Sequence, residues 1–321
     1  MQGRCIIKDI AKMGGCKADC AVHGENCCIP SDLFAAICGF SCKDFSKLNN
    51  RFAGEEKADR SAVLNDASNG TTASTFKGTL AYLSSHQPFI YIGENLEDLI
   101  TPHVRAQLLE CFNAIGYVCD VCIIKSHEKG ARTTRKRAWI VALCMDACGC
   151  SYSQGKALIH EIFSVVELME VEPVKLDSVL LPHDHPYISG KFYESTKSAK
   201  RGEGGGSGDW RVKLRMALEA NGIRWSELQV PEEHRAAQHY DLLCERDRLT
   251  LAHCMLTKPG ASGYDISQQA GRCPTHEEGM FGCLTPGAKI WWTERKGLIT
   301  GLDMMKVHGF PDKVFDPERC L

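Results

Sequence analysis

The chain has 321 residues, a formal net charge of −2 and 18 cysteines. This length allows a large core and predicts one or two domains, and the near-neutral charge excludes a surface that is basic throughout, so any nucleic-acid interface must be local. The apolar runs are too short to span a membrane and no secretory segment opens the chain, which predicts a nuclear or cytoplasmic protein that is not secreted, with reduced thiols.

The amino-terminal segment combines a strand-like start with a cluster of cysteines. Residues 5–7 predict the end of a strand, and residues 8–10 predict the turn after it. Five candidate metal ligands follow within thirteen residues: Cys16, Cys20, His23, Cys27 and Cys28. Such spacings can hold zinc in a tetrahedral site, but no second paired cluster follows in the sequence. We therefore favour buried, reduced thiols here and assign no metal ligands.

A cysteine at the end of an apolar run is the first candidate for chemistry. The run 33–37 leads into the sequence GFSCKDFS, residues 39–46, which predicts a buried strand closed by a tight turn. Cys42 then lies at the carboxyl end of a strand, where open α/β sheets place their chemistry. A structural cysteine is the alternative. The polar stretch 47–79 predicts a long loop, either functional or a disordered insertion.

Strands and helices alternate through residue 143. Residues 88–92 predict a second buried strand, with Glu94 and Asn95 at its carboxyl end. A helix starts at Thr101-Pro102 and stops at Gly116. Strands at 117–124 and 138–143 flank a basic segment that carries Lys125, Lys129, Arg132, Arg135, Lys136 and Arg137. Taken alone, such a segment is typical of a solvated loop or a targeting signal.

The second half of the chain predicts mostly helices. Helical patterns cover residues 158–169, 209–220 and 231–256, and the Gly/Ser-rich residues 195–208 predict a linker. Thr300 and Asp303 have the spacing of a capping box for a short helix that ends at Gly309.

The order of these motifs resembles the cytosine carbon-5 DNA methyltransferases. The resemblance is carried by GFSCKDFS (39–46), IGENL (92–96), TTRKR (133–137), LIT (298–300) and GFP (309–311), with ISQQAGR (266–272) and CLTP (283–286) between. It implies an α/β fold, a partial Rossmann-like methyltransferase sheet with an inserted, mostly helical target-recognition region. We expect this sheet to be mostly parallel and to contain the strands 33–38, 88–92 and 138–143. The implied domains are a catalytic region at 1–165, the target-recognition-like region at 166–262 with its linker at 195–208, and a return segment at 263–321 that packs on the catalytic region.

The resemblance also implies roles for individual residues. Cys42 would attack carbon 6 of a flipped cytosine, Glu94 would act on the ring nitrogen as a carboxylic acid, and Arg135 and Arg137 would supply positive charge. Ser46, Lys125, Lys129 and Arg132 would contact the nucleic acid, and Asp9 would meet the adenine of the cofactor, S-adenosyl-L-methionine. Duplex DNA is the expected partner, with RNA as the alternative.

Departures from the family pattern bear on activity. Ser41 stands where the family usually has proline. Lys43 and Thr133 both stand where the family usually has glutamine. Neither the Gly-rich loop of the cofactor site nor the Gly-Asn element that closes it is found in the sequence. We therefore expect a truncated chain, or one that needs a partner chain to supply the missing strands. A non-catalytic nucleic-acid-binding relative and an RNA cytosine methyltransferase remain the alternatives.

Overall fold

The computed structural model describes residues 5–44, 64, 71–172, 179–182, 185, 209–272, 274–277, 279–282, 284 and 287–310. Ser46, the linker 195–208 and the end of the GFP motif lie outside the described residues, as do most of residues 47–70. The chain divides into two compact units, Met1–Lys125 with Lys136–Glu170, and Ser126–Arg135 with Val171–Leu321. None of the described helices combines the length and the apolar character that a membrane crossing requires.

The first unit contains six strands and four α-helices in its described part. The strands are β1 (Lys17–Asp19), β2 (Asn26–Cys28), β3 (Ala35–Cys38), β4 (Ile90–Asn95), β5 (Tyr117–Lys125) and β6 (Lys136–Cys144). The helices are α1 (Thr71–His86), α2 (Pro102–Ala114), α3 (Met145–Cys148) and α4 (Tyr152–Leu168), with 3-10 turns at Ile10–Lys12 and Glu97–Ile100. β1 and β2 form a separate antiparallel hairpin.

The main sheet has the strand order β3-β4-β6-β5. β3 and β4 are parallel, whereas β6 is antiparallel to both β4 and β5. The three strands predicted at 33–38, 88–92 and 138–143 therefore share one sheet, as expected. The expectation of a mostly parallel sheet is wrong, because the connection between β5 and β6 is too short for the crossover that parallel pairing requires.

Helices cover both faces of this sheet. On one face the core contains Phe76 from α1 and Leu108 and Phe112 from α2, all packed with Tyr91 of β4. On the other face Val118, Val141, Leu143 and Ile159 form a second cluster, in which Ile159 belongs to α4. Neighbouring strand residues point to opposite faces, so β4, β5 and β6 each contribute to both cores. Buried Val104, Leu108 and Phe112 and the positive φ of Gly116 confirm the predicted helix α2 and its stop.

Two expectations near Cys42 are corrected. β3 was expected to be buried, but Phe34 and Ile37 are 71% and 74% exposed. β3 is the edge strand of the described sheet, so its apolar side chains lack a neighbour on one side. The polar stretch 47–79 was expected to be a loop, but α1 begins at Thr71. Burial of Phe76 and Leu83 overrides the weak helix propensity of its threonines.

The second unit combines helices with an antiparallel sheet. Its described helices are α5 (Asp209–Ala220), α6 (Glu232–Arg235), α7 (Glu245–Thr257) and α8 (Gly301–Val307), with 3-10 turns at Ser126–Glu128, Trp225–Glu227, Gln238–Leu242 and Ala270–Arg272. Its strands are β7 (Gly263–Asp265), β8 (Thr275–His276), β9 (Ile290–Trp292) and β10 (Gly297–Leu298), in the order β10-β9-β7-β8. The described part of the return segment thus belongs to the second unit, and its packing on the catalytic region stays a prediction.

The structure corrects one predicted helix of the second unit and confirms another. The helix predicted at 231–256 is interrupted, because Leu243 and Cys244 have extended backbone and Leu243 is buried in the core. The helix predicted at 209–220 is confirmed.

Fourteen described cysteines are free thiols, but Cys254 is disulfide-bonded. The expectation of reduced thiols is therefore wrong at Cys254.

A buried carboxylate organises the end of the second unit. Thr300 and Asp303 form the predicted capping box of α8. Asp303 also accepts a hydrogen bond from the Leu181 backbone N–H at 2.7 Å and pairs with the Arg295 guanidinium at 2.7 Å. The side chains of Arg295 and Asp303 are only 4% and 0% exposed. A buried pair of this kind depends on both partners, because each charge would otherwise be desolvated without compensation.

The change Asp303→Ala is expected to destabilise the second unit by about 3–5 kcal/mol, because it leaves Arg295 buried and unpaired. Urea unfolding followed by tryptophan fluorescence measures this, since Trp291 and Trp292 are buried in the same unit. The matched control is Asp241→Ala, whose carboxylate is 84% exposed and pairs with Arg248 at 3.8 Å. An exposed pair contributes about 0–1 kcal/mol. Equal effects of the two substitutions would contradict the role of Asp303.

Candidate active site

The carboxyl ends of β3 and β4 form the floor of the candidate site. Their parallel register pairs Cys38 with Gly93, so Gly39 lies beside Glu94. A Cβ added to Gly39 would lie 3.1 Å from the backbone oxygen of Glu94 and 3.5 Å from its Oε2 atom. Glycine at position 39 therefore allows the chain to turn closely past Glu94. Cys42 follows three residues later and is exposed.

Two buried side chains of β4 hold the chain on either side of Gly39. The Tyr91 hydroxyl donates to the Cys38 carbonyl at 3.2 Å, and Asn95 Nδ2 donates to the Phe40 carbonyl at 3.0 Å. Asn95 also accepts from the Leu96 N–H at 2.8 Å. Burial raises the pKa of Tyr91, which keeps its hydroxyl a neutral donor. β4 thus fixes the turn that leads to Cys42.

The amino end of α1 fastens the other side of this turn. The Ser41 N–H donates to Thr75 Oγ1 at 2.9 Å. Asp44 and Thr72 exchange two hydrogen bonds, from Asp44 N to Thr72 Oγ1 at 3.1 Å and from Thr72 N to Asp44 Oδ2 at 2.8 Å. Sequence reasoning missed this pair, because its members are 28 positions apart, and no local capping pattern covers such a separation. Cys42 is held between these contacts.

Arg137 meets Glu94 because β6 is antiparallel. The register pairs Glu94 with Trp139 and Asn95 with Ala138, so the start of β6 lies at the carboxyl end of β4. Arg137 Nε lies 2.8 Å from Glu94 Oε1, with the two side chains 14% and 32% exposed. A parallel β6 would have placed its start at the opposite edge of the sheet. The structure therefore brings together Glu94, Arg137 and the Cys42 turn.

The other predicted residues are placed differently. Asp9 Oδ1 accepts from the Ala11 N–H at 2.9 Å and caps the 3-10 turn at 10–12. Lys125 ends β5 in the first unit. Arg135, Lys129 and Arg132 belong to the segment Ser126–Arg135 of the second unit, and Ser46 lies outside the described residues.

The segment Ser126–Arg135 is fastened within the second unit. Phe281 N donates to the Arg132 carbonyl at 2.8 Å, and Thr134 N donates to the Phe281 carbonyl at 2.7 Å. The Arg135 carbonyl accepts from both the N–H and the hydroxyl of Ser126 at 2.9 Å. The backbone of the basic segment is therefore held by hydrogen bonds to other residues of the second unit, and the segment is not a freely solvated loop.

A second charged cluster in the first unit has a structural role. The buried carboxylate of Asp120 lies 2.5 Å from Arg105, 2.7 Å from Lys156 and 3.1 Å from His160. Burial would raise the pKa of Asp120, but hydrogen bonds from Lys156 and Arg105 outweigh it, so the pKa is lowered. Since these partners lie on α2 and α4, the cluster ties both helices to β5.

Comparisons with known proteins agree on one chemistry. A family model described as C-5 cytosine-specific DNA methylase matches residues 24–318. The chain is 26% identical over 331 residues to the DNA (cytosine-5-)-methyltransferase DMT5 of Cryptococcus neoformans var. grubii serotype A. That match covers 95% of this chain but only 13% of the relative.

A solved structure is also similar to part of the chain. It is the crystal structure of a proposed DNA modification methyltransferase encoded within a prophage of E. coli. The match covers 35% of this chain and 27% of that chain at 18% identity, with a TM-score of 0.25. A likeness of this extent carries no structural argument.

The change Asn95→Ala is expected to loosen the Cys42 turn, because it removes the donor to the Phe40 carbonyl and leaves a buried acceptor unpaired. Such a loss costs about 1–3 kcal/mol. Hydrogen–deuterium exchange followed by mass spectrometry should show faster exchange in the peptide that spans residues 38–44. The matched control Asn113→Ala removes an exposed amide near the end of α2 and should leave that peptide unchanged. Unchanged exchange in Asn95→Ala would show that β4 does not hold the turn.

Proposed function

Because the chain belongs to the C-5 cytosine-specific DNA methylase family, we propose that it binds DNA and activates a cytosine at the site formed by Cys42, Glu94 and Arg137. The observation that carries the proposal is the Glu94–Arg137 ion pair beside the Cys42 turn. This geometry is consistent with a nucleophile (Cys42), a carboxyl group (Glu94) and a cation (Arg137) that act on one base. We also propose that carbon 5 of this cytosine accepts a methyl group when a partner chain completes the cofactor site.

Cys42 is proposed to add to carbon 6 of the cytosine. Its thiolate forms the S–C6 bond, and the electron pair of the C5–C6 double bond moves toward carbon 5, which becomes nucleophilic. Negative charge develops on the ring at N3 and O2. A thiol must be accessible and deprotonated for this step, and Cys42 is exposed on a turn that is fixed on both sides.

Glu94 and Arg137 are proposed to stabilise the activated ring. One oxygen of Glu94 is paired with Arg137, and the other lies on the side of Gly39, which leads to the Cys42 turn. A carboxyl group there can hydrogen-bond the N3 and N4 edge of cytosine. Arg137 orients that carboxyl group and places positive charge where ring charge develops.

Duplex DNA would have to release the base before this chemistry. Flipping a base out of the stack costs about a few kcal/mol, which contacts to the phosphate backbone can offset. Lys125, Lys129 and Arg132 are proposed for those contacts, and Ser46 for the loop that closes over the base. The catalytic set alone does not distinguish DNA from RNA, so competition between duplex DNA and folded RNA across salt concentrations decides that point.

The family uses S-adenosyl-L-methionine, and when bound it would supply the methyl group. The described residues do not fit a complete site for it. Asp9 is engaged in capping the turn at 10–12, and Gly39 makes room for Glu94 rather than for a ligand. Among the described strands, none ends in the Gly-x-Gly turn that lets a backbone approach a nucleotide in this class of fold.

A partner chain is proposed to complete the sheet. The edge strand β3 exposes Phe34 and Ile37, which supports pairing with another segment there. By resemblance, that segment would carry the strands of the cofactor site.

Exchange of the hydrogen on carbon 5 tests the cytosine chemistry without any cofactor. The Cys42 adduct can take a proton from water at carbon 5, lose the original hydrogen and release the thiolate. DNA that carries tritium on carbon 5 of cytosine should therefore release tritium into water when the chain is added. Cys42→Ser should reduce this release to background, and Glu94→Gln should lower it by about 10²–10⁴-fold.

The control for exchange is Cys16→Ser, which removes another exposed thiol of the same unit. It should release tritium at the rate of the unmodified chain. If the unmodified chain binds DNA but releases no tritium, it is a non-catalytic nucleic-acid-binding relative.

Isothermal titration tests the cofactor part separately. One hydrogen bond from Asp9 contributes about 0.5–1.5 kcal/mol, or up to about 3 kcal/mol when charged. A dissociation constant of about 1 µM needs about 8 kcal/mol. We therefore expect the chain alone to bind S-adenosyl-L-methionine more weakly than this, whereas a duplex DNA titration in the same buffer gives a signal. A low-micromolar or tighter constant would show a cofactor site that the described residues do not reveal.

A further inference from the structure

Four potential metal ligands converge at the turn end of the β1–β2 hairpin. They are Cys5, Cys20, His23 and Cys27, and their ligand atoms all lie within 4.8 Å of one another. His23 Nδ1 lies 3.6 Å from Cys5 Sγ, 3.5 Å from Cys20 Sγ and 3.1 Å from Cys27 Sγ. From these positions we propose that the chain binds one structural Zn²⁺ ion through these four residues.

The distances match those of a tetrahedral zinc site. Zinc lies about 2.3 Å from cysteine sulfur and about 2.0–2.1 Å from histidine nitrogen, which places sulfur and nitrogen ligands about 3.6 Å apart at the tetrahedral angle. Two of the three sulfur–nitrogen distances agree with this value, and the third is shorter. Sulfur atoms on a tetrahedral zinc ion lie about 3.8 Å apart, and all four ligand atoms of the cluster lie within 4.8 Å of one another.

Hydrogen bonding alone does not account for the cluster. A neutral imidazole nitrogen offers one lone pair or one N–H, so His23 Nδ1 can form one good hydrogen bond to a thiol. Three sulfur atoms nevertheless converge on that single atom. A cation enclosed by the four atoms satisfies all of them at once.

Backbone hydrogen bonds bring the segments that carry the ligands together. Cys20 and Cys27 flank the hairpin turn, in which Cys20 N donates to the Glu25 carbonyl and Gly24 has a positive φ. Cys5 reaches them because Ile7 pairs with Cys20 in an antiparallel bridge and Ala21 N donates to the Ile6 carbonyl at 2.7 Å.

The surroundings of the sulfur atoms also suit a bound metal. The Ile6 N–H donates to Cys20 Sγ at 3.3 Å, a contact that stabilises a thiolate ligand. Cys20 itself is buried, whereas Cys5 and His23 are exposed, so an ion can enter from the surface.

The ligand set indicates which metal and which kind of site. Three thiolates and one imidazole favour zinc among the common divalent ions, and four protein ligands leave no open position for a substrate. The site is therefore structural rather than catalytic. The sequence analysis assigned no metal ligands and considered Cys16 but not Cys5 as a candidate. In the structure Cys5 belongs to the cluster and Cys16 does not.

Metal analysis of the whole purified chain tests this proposal. After refolding with Zn²⁺ and exhaustive dialysis, elemental analysis should find about one zinc per chain, as a single closed four-ligand site requires. Cys20→Ser and Cys27→Ser should lose the metal. The matched controls Cys16→Ser and Cys28→Ser remove neighbouring exposed thiols and should keep it. A chain that retains no zinc, or controls that lose it as readily as the ligand variants, would overturn the proposal.

Cobalt substitution supplies a readout that does not depend on ligand variants that might unfold. Co²⁺ added to the unmodified apo chain should give the intense visible bands of a tetrahedral ion together with thiolate-to-metal charge transfer. Cys5→Ser should weaken the charge transfer relative to Cys16→Ser. The weak spectrum of an octahedral ion, or X-ray absorption without three sulfur ligands at about 2.3 Å, would contradict the assignment.

Discussion

The candidate site depends on the antiparallel insertion of β6 between β4 and β5. This arrangement brings the start of β6 to the carboxyl end of β4, where Arg137 pairs with Glu94 at 2.8 Å. The same strand β4 holds the neighbouring turn through Tyr91 and Asn95. One central strand therefore positions the carboxyl group directly and the Cys42 turn through its hydrogen bonds, and β6 adds the cation.

The sequence predicted the strands of this site better than the directions in which neighbouring strands pair. Apolar runs and turn residues predicted the strand that leads to Cys42, the strand that ends near Glu94 and the strand 138–143 that follows the basic segment. Strand direction was not predictable from those patterns, because a run of apolar residues has the same appearance in parallel and antiparallel sheets. The short segment between β5 and β6 indicates an antiparallel pair, because a parallel pair needs a longer crossover connection. We nevertheless expected parallel strands, because the resemblance implies a mostly parallel sheet.

The misses share a physical cause, which is contact between residues far apart in the sequence. Asp44 and Thr72 form a reciprocal cap across 28 positions, and Cys5 joins His23 across 18. Local spacing rules detect caps and metal ligands only when the partners are a few residues apart. Ile37 shows the opposite limitation, since apolar character predicted burial but the position of β3 at the sheet edge left it exposed.

Helix α1 contacts both the Cys42 turn and residues 10–15, which connect Cys5 to the β1–β2 hairpin. A Cβ added to Gly78 of α1 would lie 2.7 Å from the Ile10 carbonyl oxygen, so the helix packs closely on the 3-10 turn at 10–12. Near its carboxyl end, His86 Nε2 lies 3.1 Å from the Met13 carbonyl oxygen. The amino end of the same helix holds the turn through Thr72 and Thr75. Zinc at the hairpin would therefore stabilise the segment on which α1 rests, and the placement of Cys42 would depend on that support as well as on β4.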